Sequence, residues 1–232
     1  MAQLQNTTIN DISNLTLPVG TTAQRPPSPL AGMIRYNSTL NETEYYDGTA
    51  WKPIGDTNPE ATGGTVIDTD IGGVTYRIHM FTTTGNSTFT VTKGGEVEYL
   101  IVAGGGAGGG VAPQGGYHSG GGGGGAGGLL TGFTTVIPQA YTITVGAGGT
   151  AASYNNTNGQ NSSALGLTAV GGGRGYFGGT SQAAGSGGSG GGAGRDNQTF
   201  GTGTAGQGND GGADGATNSG AGGGGAATAG GV

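Results

Sequence analysis

The residues able to do chemistry are few in this chain and stand far apart. There are two histidines, His79 and His118, no cysteine, and thirteen acidic against seven basic residues. His79 alternates with apolar neighbours in Tyr76-Arg-Ile-His-Met80, so it reads as a solvent-facing residue of a strand. His118 sits beside Tyr117 in a polar break between glycine runs and reads as a loop residue, with receptor contact as the alternative. Neither has the clustered partners that a metal site needs. Matches to Gly-x-Gly-x-x-Gly abound, but a dinucleotide site needs a strand, that turn and then a helix. No amphipathic helix follows any tract. Lys93 is followed by Gly-Gly and not by Ser or Thr, so it does not close a phosphate loop. Asp196, Asp210 and Asp214 lie in Asn/Gly-rich stretches; Gly208-Asn-Asp-Gly-Gly-Ala-Asp214 occurs once, without the repeat of calcium-binding nonapeptides, and turn formation accounts for it. Sequons such as Asn37-Ser-Thr39 follow from Asn/Thr richness. These residues predict neither an enzyme nor a cofactor.

What must position such side chains is stranger than the side chains. Glycine makes up 60 of 232 residues, most of them after Ala103. Runs such as Gly104-Gly-Gly-Ala-Gly-Gly-Gly110, Gly120 to Gly125 and Gly222 to Gly225 have nothing to bury and lose the most backbone freedom on folding. Only 9% of residues are charged and 6% aromatic, and the net charge is -6. The glycine half is therefore neutral and not self-repelling, which leaves room for order held by backbone pairing. A conventional core is expected only in the first hundred residues. The acidic balance argues against nucleic-acid partners. No apolar run reaches 18 residues, so no membrane-crossing helix is expected. Met1-Ala-Gln-Leu-Gln-Asn lacks the basic and apolar regions of a secretory signal. Such a chain with an extracellular look suggests release by lysis, as virion proteins are released.

Along the chain, residues 1–17 are polar with isolated aliphatics, Leu4, Ile9, Ile12, Leu15 and Leu17, and are expected to dock on another protein. Residues 18–31 carry four prolines and read as a stiff, extended spacer. Residues 32–56 read as a three-stranded meander: Met33 to Tyr36, Thr43 to Tyr46, the Asp47-Gly48 turn, then Ala50 to Ile54 with Pro53 at an edge. It is too small to be stable alone, and identical chains could supply partners for Ile34, Tyr36, Tyr45 and Trp51. Residues 57–103 hold further strands, Tyr76 to Phe81, Thr88 to Thr92 and Glu96 to Ala103. The continuous apolar run Val97 to Val102 reads as a strand buried on both faces. Residues 104–232 form the glycine-rich part. There Val97–Val102, Tyr141–Val145 and Ala164–Val170 each feed a glycine run, which a loose linker would not need. A collagen-like helix is excluded by the missing Gly-X-Y period. Extended helices with three residues per turn and a rise of about 3.1 Å fit instead, lying side by side because no Cβ separates them. Tyr117, Tyr154, Tyr176 and Phe177 interrupt the tracts. They are expected to face outward or seal an edge, as candidate contacts for a saccharide or protein, or to pack between chains.

Two stretches carry a resemblance. Pro18-Val-Gly-Thr-Thr-Ala-Gln-Arg-Pro, Gly32-Met-Ile-Arg-Tyr-Asn37 and Tyr46-Asp-Gly-Thr-Ala-Trp51 resemble the base module of bacteriophage tail and virion fibres, which are trimeric. Val97-Glu-Tyr-Leu-Ile-Val-Ala-Gly-Gly-Gly, Gly127-Gly-Leu-Leu-Thr-Gly132 and Tyr141-Thr-Ile-Thr-Val-Gly-Ala-Gly-Gly149 resemble the glycine-rich domain of phage fibres and adhesins. The resemblance covers about residues 18 to 180. It implies a homotrimeric fibre of all-β and irregular fold with polyglycine II-type helices. It further implies attachment to a tail, neck or capsid protein through Leu4, Ile9, Ile12 and Leu15, and contact with a host-surface saccharide or outer-membrane protein through Tyr117, His118, Tyr154, Tyr176 and Phe177. A head- or neck-attached fibre without a receptor role and a cellular glycine-rich surface or matrix protein are the alternatives. Ala226-Ala-Thr-Ala-Gly-Gly-Val232 stops inside the repetitive pattern, so the native polypeptide is expected to continue or its tip to be another protein.

Overall fold

Strand-forming residues punctuated by turn glycines build several small sheets, and the glycine tracts extend from the ends of the later strands. In this computed structural model the described residues are 16–55, 58–110, 120–152, 155–178, 182–195, 199–213 and 219–231. No helix among them is long and apolar enough to cross a membrane.

The first sheet has the order β1-β2-β3-β4, from β1 (Val19–Gly20), β2 (Ile34–Asn37), β3 (Glu42–Tyr46) and β4 (Trp51–Pro53). Asp47 closes its last hairpin: its Oδ1 accepts from the amides of Thr49 and Ala50 and from the Thr49 hydroxyl, each at 2.7 Å. The proline-rich segment is no free spacer. β1 pairs in parallel with β2, a single 3-10 turn Thr22–Gln24 follows, and Arg25 reaches Glu44 on β3. Buried charge is what draws this segment onto the sheet.

The main body is a sandwich. Its larger layer has the order β13-β12-β11-β8-β5, from β5 (Glu60–Thr62), β8 (Gly85–Lys93), β11 (Gln139–Val145), β12 (Ser162–Ala164) and β13 (Leu167–Ala169). Opposite lies a ribbon of β9 (Gly95–Val102) and β10 (Leu129–Val136), in register from Gly95–Val136 to Val102–Leu129. Phe89, Val91, Val136 and Ile143 form the core between the layers, and Ile101, Ala103 and Ala169 continue it toward the glycine tracts. Residues after Ala103 thus supply part of a conventional core, against expectation, because β10 and β11 bring back alternating apolar side chains. Two further expectations are corrected. Val97–Val102 is not buried on both faces: the ribbon is one layer with Val97, Tyr99 and Ile101 inward, and Leu100 is 66% exposed. The stretch 164–170 is not one strand, because Leu165 (φ 54°) and Gly166 (φ 80°) turn the chain back between β12 and β13.

Between β5 and β8 the chain makes a hairpin of β6 (Thr65–Ile71) and β7 (Val74–Met80), joined at Gly72-Gly73. Both glycines have positive φ, 65° and 85°, as the two-residue turn that matches strand twist requires. His79 is not solvent-facing as its alternation predicts. It is half-buried, with Nδ1 2.8 Å from the Gly63 carbonyl oxygen and its ring edge-on to Phe89.

Candidate functional site

Beyond the sandwich the glycine tracts pack as a lattice of extended segments bonded backbone to backbone, and their register repeats every three residues. From residues 120–128, the amides of Gly122, Gly125 and Gly128 donate to the carbonyls of Tyr176, Gly173 and Val170. Those of Gly123 and Ala126 donate to Ala221 and Gly224. The carbonyls of Gly122, Gly125 and Gly128 accept from Gly109, Gly106 and Ala103, and those of Gly123 and Ala126 accept from Gly192 and Ser189. One segment is thus bonded to four neighbours, each through every third residue. That is the signature of a helix with three residues per turn, the polyglycine II form. Gly172, Gly175 and Gly178 repeat the pattern on the carbonyls of Gly104, Ala107 and Gly110.

Close approach is what demands glycine here. A Cβ on Gly122 would collide with the carbonyl oxygen of Gly192, one on Gly124 with that of Gly106, and one on Gly175 with that of Gly122. Alanine occurs where the space exists: Ala107, Ala193 and Ala221 are buried without a clash of this kind, and Ala126 points to solvent.

The register gives the lattice two different ends. At one end β9, β11 and β13 run into it and β10 and β12 leave it, with Gln207 bonding the Leu129 amide, the Val170 amide and the Thr168 carbonyl. At the other end lie the residues that flank five segments outside the described residues. Gly110 accepts from Gly178; Gly120 accepts from Arg195 and packs on Ser219; Gln182 bonds Asn155 and Asn156; Gly212 accepts from Ala193. All five of these connections therefore start and finish at the end away from the sheets.

Of the candidate receptor contacts, Tyr117, His118 and Tyr154 lie outside the described residues, as do the docking residues Leu4, Ile9, Ile12 and Leu15. Tyr176 and Phe177 are at the connection end, but they are only 3% and 4% exposed. This corrects the expectation that they face outward. Glycine makes the room: a Cβ on Gly194 would strike the Tyr176 ring, and one on Gly110 would lie 2.8 Å from Phe177 Cε2. No signal in the sequence distinguishes glycines that clear space for a ring from glycines that clear space for a backbone. Asp210 serves the fold, with Oδ1 accepting from the Gly203 amide at 2.8 Å; Asp196 and Asp214 lie outside the described residues. Among the described residues, no three His, Asp or Glu side chains are placed to hold a metal ion.

Residues 82–232 match the glycine-rich domain. The chain belongs to this family. The glycine-rich domain thus takes in β8 and β9 as well as the tracts, and of the sandwich strands β5 alone lies before it. No curated protein and no solved structure matches the chain.

Outside the glycine-rich domain, the first sheet holds a dense cluster of charges. Glu44 is almost fully buried; it takes hydrogen bonds from Arg25 at 2.5 and 3.2 Å and from Asn37 at 3.1 Å, with Arg35 at 3.6 Å. Burial pushes its carboxyl up, but the bonds from Arg25 and Asn37 and the charges of Arg25 and Arg35 outweigh that and hold it below its ordinary value. The Arg35 guanidinium also lies over the Trp51 ring, 5.9 Å from its centre. Every member is engaged within the sheet, which makes this a structural cluster and not a reactive one. It also splits the proposed trimer residues. Trp51 lies on the charged, covered face, against Tyr46, whereas Ile34, Tyr36 and Tyr45 share the opposite, open face with Val19.

Proposed function

We propose that this chain is a structural and adhesive subunit of a bacteriophage fibre. The observation that carries this reading is the two-ended lattice. Sheets enter at one end, the residues that flank the five segments outside the described residues lie at the other, and rigid segments bonded backbone to backbone lie between. Such a body holds its far end at a fixed distance from an attachment point, and sequence change there leaves its frame untouched. Receptor contact, to a host-surface saccharide or outer-membrane protein, is assigned to that far end, where the segments holding Tyr117, His118 and Tyr154 begin and finish. Attachment to a tail, neck or capsid protein is assigned to residues 1–17. The resemblance of residues 18–51 to the base module of phage fibres supports trimerisation, and the open face of Val19, Ile34, Tyr36 and Tyr45, which also carries Lys52, supplies a surface for it.

The test is immunogold labelling of virions with antibodies against residues 1–17 and against the glycine-rich domain, together with competition of virus adsorption by the purified chain. The expected result is inner label from the first antibody, outer label from the second, and blocked adsorption. Labelled virions with unimpaired adsorption would favour a fibre without a receptor role. Absence of the chain from virions would overturn the proposal in favour of a cellular surface protein.

A further inference from the structure

The β6–β7 hairpin has both faces largely exposed, and one of them is apolar from end to end. Facing residues of an antiparallel pair lie on the same side. One side therefore carries Met80, Ile67, Ile78, Tyr76, Ile71 and Val74, with two threonines and no charge. The other side carries Val66, His79, Arg77, Asp68, Thr75 and Asp70. It meets the rest of the protein near the base of the hairpin, where His79 rests on Phe89 and Arg77 lines a small cavity with Ala61 and Val97; the Arg77 and Asp68 side chains themselves stay 64% and 53% exposed. The apolar ladder is left open, with Ile71 and Val74 more than half exposed.

The geometry points to the same ladder on a second copy of this chain as the cover of this face. Three observations select that occupant. A two-stranded hairpin is marginal in water without a layer against its apolar face, so the cover must be at hand whenever the chain folds, and another copy always is. The face is uncharged along its whole length, so identical copies meet without repulsion. A second open apolar stripe, Leu100, Val102 and Phe133 on the β9–β10 ribbon, lies in line with Glu96 and Glu98; joining two copies there would oppose like charges. The first sheet also leaves Val19, Ile34 and Tyr45 open, with Lys52 across from Tyr45 on the same face. At roughly 24 Å by 10 Å, the ladder alone is smaller than the roughly 800 Å² per partner of a stable interface. It works together with the open face of the first sheet. The number of copies, three, rests on the reading under Proposed function; the identity of the contacting face does not.

The chain contains no cysteine, so a single introduced one reports its own neighbours. Full-length Ile78→Cys, on the ladder, and Thr75→Cys, on the polar side, are to be oxidised with copper–phenanthroline at micromolar concentration, with the mass of each unoxidised protein measured by light scattering. The expected result is a multimeric mass for both, efficient disulfide-linked dimer for Ile78→Cys whose yield does not fall on tenfold dilution, and little for Thr75→Cys. A multimeric mass without cross-linking at Ile78 overturns the hairpin contact while leaving the trimeric fibre standing. A monomeric mass overturns both. Equal cross-linking of the two variants overturns the choice of face.

Discussion

Glycine is used in two physically different ways, and the difference decides which positions tolerate change. In the sheets it supplies positive φ, as at Gly72 and Gly73. In the lattice it supplies the absence of a Cβ at contacts between backbones. Gly122→Val forces a side chain onto the Gly192 carbonyl, and overpacking of this kind costs about 1–3 kcal/mol or more. For a chain of this size that is a fall in Tm of roughly 2–4 °C per kcal/mol. Ala126→Val, on the same segment but exposed, is expected to stay within about 0.5 kcal/mol. Thermal unfolding of the two variants side by side tests the contrast, and equal losses would contradict it. The first sheet makes a second prediction. The hydrogen bonds from Ala50 and Thr49 hold the Asp47 carboxyl down at about 2, and Glu44 is also lowered. Groups depressed in the folded state contribute stability that is fully present above their unfolded values, about 3.9 and 4.3, and is lost as pH falls through the folded ones. The first sheet should therefore loosen between about pH 4 and pH 2, followed through Trp51, the single tryptophan. Glu44→Gln leaves Arg35 buried without its counter-charge and should cost about 3–5 kcal/mol at neutral pH.

At the scale of elements, a helix of three residues per turn has three rows, and in residues 120–128 they do different jobs. Two rows of amides donate to neighbours. The third row, Gly121, Gly124 and Gly127, donates no backbone bond among the described residues and sets its Cα atoms against Gly109, Gly106 and Ala103. Residue-resolved hydrogen exchange should show this period directly. Slow exchange is expected at 122, 123, 125, 126 and 128, and faster exchange at 121, 124 and 127. Uniformly fast exchange would mean that the tracts are a tether. The sandwich explains why these segments can form at all. Five strand ends hold their starting positions in register, so each added bond fixes backbone that is already constrained, against a cost of about 1–2 kcal/mol per free residue.

Taken as one molecule, the chain divides by how its apolar surface is covered. Phe89, Val91, Val136 and Ile143 are enclosed within a single copy, with Ala61 and Phe81 packed against them. The first sheet and the β6–β7 hairpin instead leave Val19, Ile34, Ile71 and Val74 open. The full chain with Ile67, Ile71, Val74 and Ile78 all replaced by threonine should therefore stay folded and lose association by sedimentation, whereas the unaltered chain associates. Undiminished association of that variant would move the contact away from the hairpin. Composition and spacing alone carried much of the answer: strand segments near their observed places, the Asp47-Gly48 turn, and glycine tracts ordered by backbone pairing. These are properties of local period and of missing side chains, which are written directly in residue order. Burial was not written there. Tyr176 and Phe177 are enclosed because Gly194 and Gly110, distant in sequence, stand against their rings, and Val97–Val102 has one open face because only β10 and the core meet it. Which side of a strand is covered, and which glycine lies against which carbonyl, depends on the partners that folding brings alongside, and only the tertiary structure decides that.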